Sequence, residues 1–344
     1  VKKFWDDALA QGRKNLDRET ELKLHRIFQD DLGKMGGKTE APAAKTGGRD
    51  VFMGATVSGG VDQEKLGKAK LEIFLAQNRA LEIQAKLARE AAAAGVELIV
   101  AVGGDGTLGE VVDGYLSVPR QVRLNSCIAT FPAGSGCDFA NHMGVPREPE
   151  AWVKSFSEGK HRRIDAGRAT FRGADGAPRS RYFMNVAAVG LPGEVAVSVA
   201  RHGKILGGTL TYLVEGALAV LTAKARRMRL VIDGIEEAPT AYHLIAAANT
   251  STFGGGMKLA PEADAEDGLL DLLTIADMPR LELMALLPRA HSGGHLGRRG
   301  VVLRRARRIE IHSDEILPLN IDGDADGMAP VVFEALPKAI DFRV

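Results

Sequence analysis

The stretch Glu97-Leu98-Ile99-Val100-Ala101-Val102-Gly103-Gly104-Asp105-Gly106-Thr107 constrains the fold more than any other. Its apolar run reads as a buried strand, and Leu108 to Gly114 behind it as a helix. Glycines at 103, 104 and 106 let the backbone turn sharply and lie close to a ligand. Main-chain N–H groups at such a turn and at the helix start suit a phosphate. Asp105 places a carboxylate among those donors. Phosphate and carboxylate repel, so Asp105 calls for a divalent cation or a positioning hydrogen bond. A plain strand-to-helix corner has the same local pattern, and the rest of the chain has to decide.

The pattern occurs a second time. Ser126-Cys127-Ile128-Ala129-Thr130-Phe131 reads as a strand, followed by the glycine-rich turn and helix start Pro132-Ala133-Gly134-Ser135-Gly136-Cys137-Asp138-Phe139-Ala140. Two such turns one βα unit apart fit parallel strands whose turns share a sheet edge, where doubly wound sheets bind ligands. Upstream, residues 51–57 read as a first strand, with the loop Ser58-Gly59-Gly60 after it. Asp62 to Ala94 reads as one broken helix or two, with the break near Asn78-Arg79.

Past about residue 160 the character changes. Short β-type runs at 164–171, 181–190, 227–233, 241–248, 269–275, 301–312, 316–321 and 331–335 alternate with turns. A helix over 194–224, broken near Gly203 or Gly207-Gly208, and another over 279–290 interrupt them. Many short strands with turn signals predict a β-sandwich-like second domain. The expected organisation is an extension and linker over 1–50, an α/β domain over 51–150, and a β-sandwich domain over 151–335, with 336–344 returning to the first.

Composition excludes several classes. The 344 residues suffice for two domains. A net charge of +1 argues against bulk electrostatic binding of nucleic acid, and 5% aromatics against a base-stacking platform. Two cysteines, Cys127 and Cys137, point to a reduced cytoplasmic setting with no disulfide framework or zinc ligand set. The longest apolar candidate, Thr209 to Thr222, is too short to span a bilayer and contains Glu215. The charged N-terminus lacks a signal-peptide core. The chain opens on Val1, so the native start is expected upstream. Residues 1–32 read as a mostly polar helix and 33–50 as a linker.

Four blocks stand in line: Gly103–Thr107, Pro132–Ala140, Gly254-Gly255-Gly256-Met257-Lys258-Leu259-Ala260-Pro261 continuing to Asp271, and Asp322-Gly323-Asp324. Here the chain resembles the diacylglycerol kinase and sphingosine kinase catalytic-domain family, above all its bacterial lipid kinases. The resemblance runs from about residue 95 to the end and includes 182–190, Ala247-Ala248-Asn249 and Ser292-Gly293-Gly294-His295. It implies a three-layer, NAD kinase-like α/β nucleotide-binding domain and a C-terminal β-sandwich, with the active site in the cleft between them. It also implies transfer of the ATP γ-phosphoryl group to a lipid hydroxyl, a reaction that depends on positioning and charge neutralisation.

By that resemblance Gly103, Gly104, Gly106 and Thr107 supply the phosphate-facing turn, and Asp105 organises the phosphates through magnesium or water. Glu110 hydrogen-bonds the nucleotide, Ser135 is the hydroxyl of the second turn, and Asp138 holds turn or metal; a plain helix N-cap is the alternative for Asp138. The family's proton acceptor falls on Asp324, with Asp322 beside it. In an extended stretch their spacing puts both carboxylates on one side, where each raises the other's pKa. Mg2+ is expected on the Asp267 carboxylate with the backbone carbonyls of Asp264 and Leu269, an all-oxygen set.

The chain departs from the family in places. Only Ser58-Gly59 remains of an early Asn-Pro-x-Ser-Gly, the second strand has no visible place between 61 and 94, and Gly109 and Cys137 replace asparagines. Asp324 stands where the family carries Glu. This leaves three readings open: Asp324 works through water, Asp322 is the base, or activity is low. His291 and His295 are broken by Gly293-Gly294 and do not read as a zinc pair. Cys137 reads as a packing residue. Arg298, Arg299, Arg304, Arg305, Arg307 and Arg308, with Arg226, Arg227 and Arg229, are either a solvated strand face or a patch for anionic headgroups. The expected partners are a lipid substrate and peripheral contact at the inner membrane face, with homodimerisation open and no nucleic acid. The alternatives are an NAD kinase-like small-molecule kinase and a catalytically weak nucleotide- or lipid-binding regulator.

Overall fold

The computed structural model describes residues 71–74, 81–134, 136–173, 176–202, 220 and 223–344. Ser58, Ser135, the expected extension over 1–50, the strand over 51–57 and the expected break near Gly203 lie outside the described residues. The chain divides into two compact units, one of residues 1–162 with 340–344, the other of residues 163–339.

In the first unit, β1 (Leu71–Phe74), β2 (Leu98–Gly103) and β3 (Cys127–Pro132) pair in parallel, Leu71 opposite Leu98 and Leu98 opposite Cys127. β2 is buried save for Gly103 and β3 throughout, which is why both read as continuous apolar runs. The chain's last residues extend the sheet, with Phe342 parallel to Ile128. The helices are α1 (Leu81–Ala93), α2 (Asp105–Leu116), α3 (Asp138–Met143) and α4 (Pro149–Glu158). α1 and α2 meet at Gly114, where a Cβ would lie 1.9 Å from the Ala85 carbonyl oxygen. β1 corrects the sequence reading, which made residues 62–94 helical. Four residues are too few for periodicity to separate strand from helix, and β1 is defined by its register on β2.

The second unit is mostly antiparallel. It contains β4 (His161–Arg172, from Arg163), β5 (Pro178–Phe183), β6 (Val186–Gly190), β7 (Arg226–Ile232), β8 (Ile235–Glu236), β9 (Thr240–Ala248) and β10 (Leu270–Ala276). β11 (Val301–Ala306), β12 (Arg308–His312), β13 (Pro318–Ile321) and β14 (Asp324–Arg343, to Ala339) follow, with α5 (Leu191–His202) and α6 (Arg280–Ala290). The single runs expected at 181–190 and 301–312 are each two strands, and the run at 331–335 is part of the longer β14.

Alternation along β6, β9 and β10 builds two cores. Ala187, Val189, Ile245, Ala247, Leu270 and Leu272 face one cluster, shared with Phe183, Ile309, Leu319 and Phe333. Val186, Ala188, Leu244, Ala246, Leu273 and Ile275 face the other, covered by Leu259, Leu283 and Leu286. Both faces of this sheet are therefore buried, as expected of a sandwich with a helical cover.

Candidate active site

The two glycine-rich turns of the first unit touch. A Cβ on Gly134 would lie 2.4 Å from Gly104 Cα, and one on Gly104 would lie 2.7 Å from the Gly136 carbonyl oxygen. Glycine is required there by close approach of two backbones. At Gly106 a Cβ would meet nothing within 4 Å, so the start of α2 opens onto space. The first intrahelical bond runs from Leu108 N–H to Gly104 O at 3.1 Å. The N–H groups of Asp105, Gly106 and Thr107 precede that ladder and point off the helix end. Glu110, one turn on, is buried.

Asp105 joins the turns. Its Oδ2 accepts the Asp138 N–H at 2.9 Å and its Oδ1 the Phe139 N–H at 3.0 Å. Of the two roles open for Asp105 in sequence, these are the positioning hydrogen bonds. Cys137 is the N-cap of α3 and makes no side-chain cap, so Asp105 caps that helix from the neighbouring turn. Asp138 is therefore not the N-cap considered in sequence; it is buried in the first helical turn. Burial, then the charge of Asp105, pushes the Cys137 thiol up to about 11, so it is a protonated packing group at neutral pH. Asp105→Ala removes a charged acceptor from two main-chain donors and is expected to cost about 2–4 kcal/mol in urea unfolding. Asp105→Asn, which keeps one acceptor oxygen, is expected to lose about half as much.

In the second unit, Asp322 and Gly323 form a two-residue turn between β13 and β14, with Ile321 opposite Asp324. Both have positive φ, +49° and +95°, as in tight hairpin turns. This corrects the extended geometry expected of Asp322-Gly323-Asp324. The two carboxylates have different surroundings. Asp322 is buried and accepts three main-chain N–H groups: Met184 at 2.7 Å, Asn185 at 2.9 Å and Val186 at 3.0 Å. Asp324, at 29% side-chain exposure, pairs with Arg181 Nη2 at 3.2 Å, while Arg181 Nη1 holds Asp326 at 3.2 Å.

Sequence reasoning did not find Arg181; a single arginine in a strand carries no local signal. The segment that holds Asp322 is itself braced. Thr250 Oγ1 donates to Asn185 Oδ1 at 2.9 Å, and Asn249 Nδ2 donates to Met184 O at 2.9 Å. The blocks around 182–190 and 247–249 thus have a joint structural task.

The loop at 264–269 is acidic. Asp264 Oδ1 accepts the Glu266 N–H and Asp267 Oδ1 the Leu269 N–H, at 3.0 and 2.9 Å. Asp165, also unforeseen, accepts the N–H groups of Gly268 and Lys338, both at 2.6 Å. Burial raises the Asp165 carboxyl above its ordinary range, and the charges of Asp267 and Asp264 add to the rise. Asp271 is raised too, first by burial and also by Asp267 and Glu262. Arg305 offsets part of this charge, 3.9 Å from Asp267 and 3.6 Å from Asp271, the Asp264 carbonyl accepts the Asp267 N–H at 3.4 Å, and among the described residues no three His, Cys, Asp or Glu side chains cluster so as to hold a metal ion.

The second unit also carries a partly open apolar cavity of about 130 Å³, lined by Ala188, Val195, Leu244, Ile275, Leu283 and Leu286 among others. Much of the basic cluster is ion-paired: Arg226 with Glu315 at 2.7 Å, Arg229 with Glu236 at 2.9 Å, Arg308 with Glu310 at 3.1 Å, and Arg304 with Glu237. Those members have acidic partners within the second unit.

Residues 60–169 match the family described as "Diacylglycerol kinase catalytic domain", and residues 185–344 match "YegS C-terminal NAD kinase beta sandwich-like domain". A diacylglycerol kinase of Bacillus subtilis (strain 168) is 29% identical over 255 residues, covering 74% of this chain and 79% of that protein. A "Probable lipid kinase YegS-like" of Chromohalobacter salexigens is 33% identical over 241 residues, 70% of this chain and 73% of that one. A crystal structure of a diacylglycerol kinase from Bacillus anthracis str. Sterne shares the fold, with a TM-score of 0.56 at 18% identity over 78% of this chain and 83% of its own. The fold class and the family resemblance read from the motif blocks both hold. From its paired glycine turns to its sandwich-like C-terminal part, the chain belongs to the diacylglycerol kinase catalytic-domain family of YegS-like lipid kinases.

Proposed function

We propose that this chain transfers the γ-phosphoryl group of ATP, with Mg2+, to a hydroxyl of a diacylglycerol-like or sphingoid-like lipid. The observation that carries the lipid acceptor is the apolar cavity and its link to the acidic hairpin. Asn320 lines the cavity, and its Oδ1 accepts the Gly323 N–H at 3.0 Å. Cavity wall and hairpin turn are thus one piece of structure, with Asp324 on the next residue.

In this reading the N–H groups at the start of α2 hold phosphate oxygens against the opening at Gly106. Gly103, Gly104 and Thr107 shape that turn, Glu110 hydrogen-bonds the nucleotide, and Asp138 holds turn or metal. Ser58 and Ser135 keep the nucleotide-side roles expected of them. Asp324 takes the proton of the lipid hydroxyl as the hydroxyl oxygen attacks the γ-phosphorus, and the bond from that phosphorus to the bridging oxygen breaks with ADP as the leaving group. Arg181 fixes the direction of that carboxylate. Asp322 positions the turn and does not move a proton, because its oxygens are committed to the main chain of 184–186.

The Asp267 carboxylate and the carbonyls of Asp264 and Leu269 would hold Mg2+. When bound, the ion supplies positive charge that braces the loop against its own carboxylates. Adding millimolar Mg2+ is expected to raise the melting temperature by a few degrees, as ligand linkage requires. Asp267→Ala is expected to abolish that rise, and EDTA to reverse it in the parent chain. A rise of equal size in Asp267→Ala would remove the loop from metal binding.

Labelled ATP with a lipid panel tests the whole reading, with label expected in diacylglycerol or a sphingoid base. Label in NAD and in no lipid would make the chain a small-molecule kinase. Calorimetry without an ATP signal in the presence of Mg2+ would make it a regulator. The expected place of action is the inner membrane face, approached from the cytoplasm. Among the described residues no helix is long and apolar enough to cross a membrane.

A further inference from the structure

The helix α6 packs on the second unit with Leu283, Leu286 and Ala290, all buried. A surface helix is ordinarily polar on the face opposite its core stripe. At about 3.6 residues per turn, the opposite face of α6 holds Leu281, Met284, Ala285 and Pro288, and no polar side chain. That face is open: Leu281, at 81%, is the most exposed large apolar side chain among the described residues, and Met284 is 39% exposed. The charged residues Arg280, Glu282 and Arg289 lie along its flanks. From Met278 to Gly300 the chain carries four arginines, Arg280, Arg289, Arg298 and Arg299, against the single acid Glu282. All four are exposed, and none pairs with a carboxylate among the described residues, unlike Arg226, Arg229, Arg304 and Arg308. Arg289 Nη1 donates to Ala285 O at 2.5 Å, the Gly294 N–H to Arg289 O at 2.9 Å and Arg298 Nε to Gly294 O at 3.5 Å, which ties Arg289 and Arg298 to the C-terminal end of the helix. Leu283, Leu286 and Leu287 of the same helix line the partly open cavity.

We propose that the outer face of α6 docks this chain on an anionic lipid bilayer, with Leu281 and Met284 entering the acyl boundary and Arg280, Arg289, Arg298 and Arg299 on lipid phosphates. This rests on the lipid-kinase reading above and names the surface from which its acceptor is drawn, because the helix that meets the bilayer also walls the cavity. An apolar face flanked by arginine is the composition of a helix that lies in a membrane interface. The arginines supply the charge complementarity, since each is attracted to an anionic leaflet. The same arginines speak against a second copy of this chain, because a two-fold contact through α6 would set them against one another. A protein partner is disfavoured too: four side chains on an 11-residue helix fall short of the about 800 Å² per partner that a stable interface buries. At about 1.5 Å per residue the helix is too short to cross a bilayer and lies along its surface.

The test is co-sedimentation of the whole chain with vesicles of phosphatidylglycerol and phosphatidylcholine, or of phosphatidylcholine alone. We expect binding to the anionic vesicles that weakens as salt rises, and about tenfold weaker binding to the neutral ones. The double variant Leu281→Gln/Met284→Gln is expected to bind anionic vesicles about tenfold more weakly, and Arg298→Gln or Arg299→Gln about fivefold. These side chains are exposed, so the fold does not depend on them. Leu281→Trp places a reporter on the face, and vesicles with brominated acyl chains are expected to quench it beyond any loss seen in the parent chain. Binding that survives at parental strength in the double variant overturns the proposal, as does a Trp signal that brominated lipid leaves unchanged. A parental dimer that the double variant splits, with vesicle binding unaltered, would make the face a contact between copies and overturns it too. Failure of the kinase reading looks different: docking through α6 persists while no lipid gains phosphate. Phosphorylation of detergent-dispersed diacylglycerol, with equal vesicle binding by parent and double variant, would remove this inference alone.

Discussion

Asp324→Asn is expected to slow phosphoryl transfer to lipid by about 10²–10⁴-fold, the usual contribution of a positioned general base. Asn keeps the shape of Asp and can still accept a hydrogen bond from Arg181, but it cannot take a proton. The stability cost is expected to be small. The Asp324 side chain is 29% exposed, Arg181 keeps Asp326 as a second partner, and solvent-screened pairs contribute about 0–1 kcal/mol. The combination is what identifies a base: turnover collapses, while melting temperature and ATP affinity hold. Steady-state rates on the responsive lipid, run beside thermal melts and ATP titrations, measure all three. Turnover within a factor of two of the parent chain would take the proton-accepting role from Asp324.

The neighbouring aspartate is expected to behave in the opposite way. Asp322→Ala should lower unfolding free energy by about 3–5 kcal/mol, because three buried main-chain donors lose a charged acceptor together. Its φ of +49° adds to the loss, since Ala enters the left-handed region less readily than Asp or Asn. Against a typical domain stability of about 5–15 kcal/mol this is a large fraction, and activity would fall with folded population. Asp322→Asn tolerates the same backbone and keeps one acceptor oxygen, so its loss should be smaller. Urea unfolding of both variants gives the comparison. If Asp322→Ala unfolds like the parent chain but is inactive, Asp322 is a reacting group and the two aspartates exchange roles.

Much of the fold was legible, for reasons that differ by element. β2 and β3 are buried runs followed by glycine turns, and such elements announce themselves locally. β1 was not legible, because Leu71-Glu72-Ile73-Phe74 sits in Leu-, Glu- and Lys-rich sequence and exists as a strand by pairing with β2. The length of β14 was hidden by Gly327, Pro330 and Pro337, which read as breaks. In the site, Arg181 and Asp165 were missed because each acts through partners distant in sequence, Asp324 and Asp326 for one, Gly268 and Lys338 for the other.

By itself the sequence determined where backbone must pass close to backbone. Glycine at 104 and 134 answers a steric demand that no other residue meets, and such demands are written locally. The motif blocks that depend on them were enough to establish the family. The tertiary structure decided what each carboxylate does. The donors that meet Asp105 lie 33 and 34 residues away, those that meet Asp322 lie 136 to 138 away, and the arginine on Asp324 lies 143 away. The three aspartates have the same side chain and occur in similar glycine-rich surroundings. They differ in the partners that folding brings to them, and those partners make one a helix cap, one a turn anchor and one the side chain proposed to take the proton.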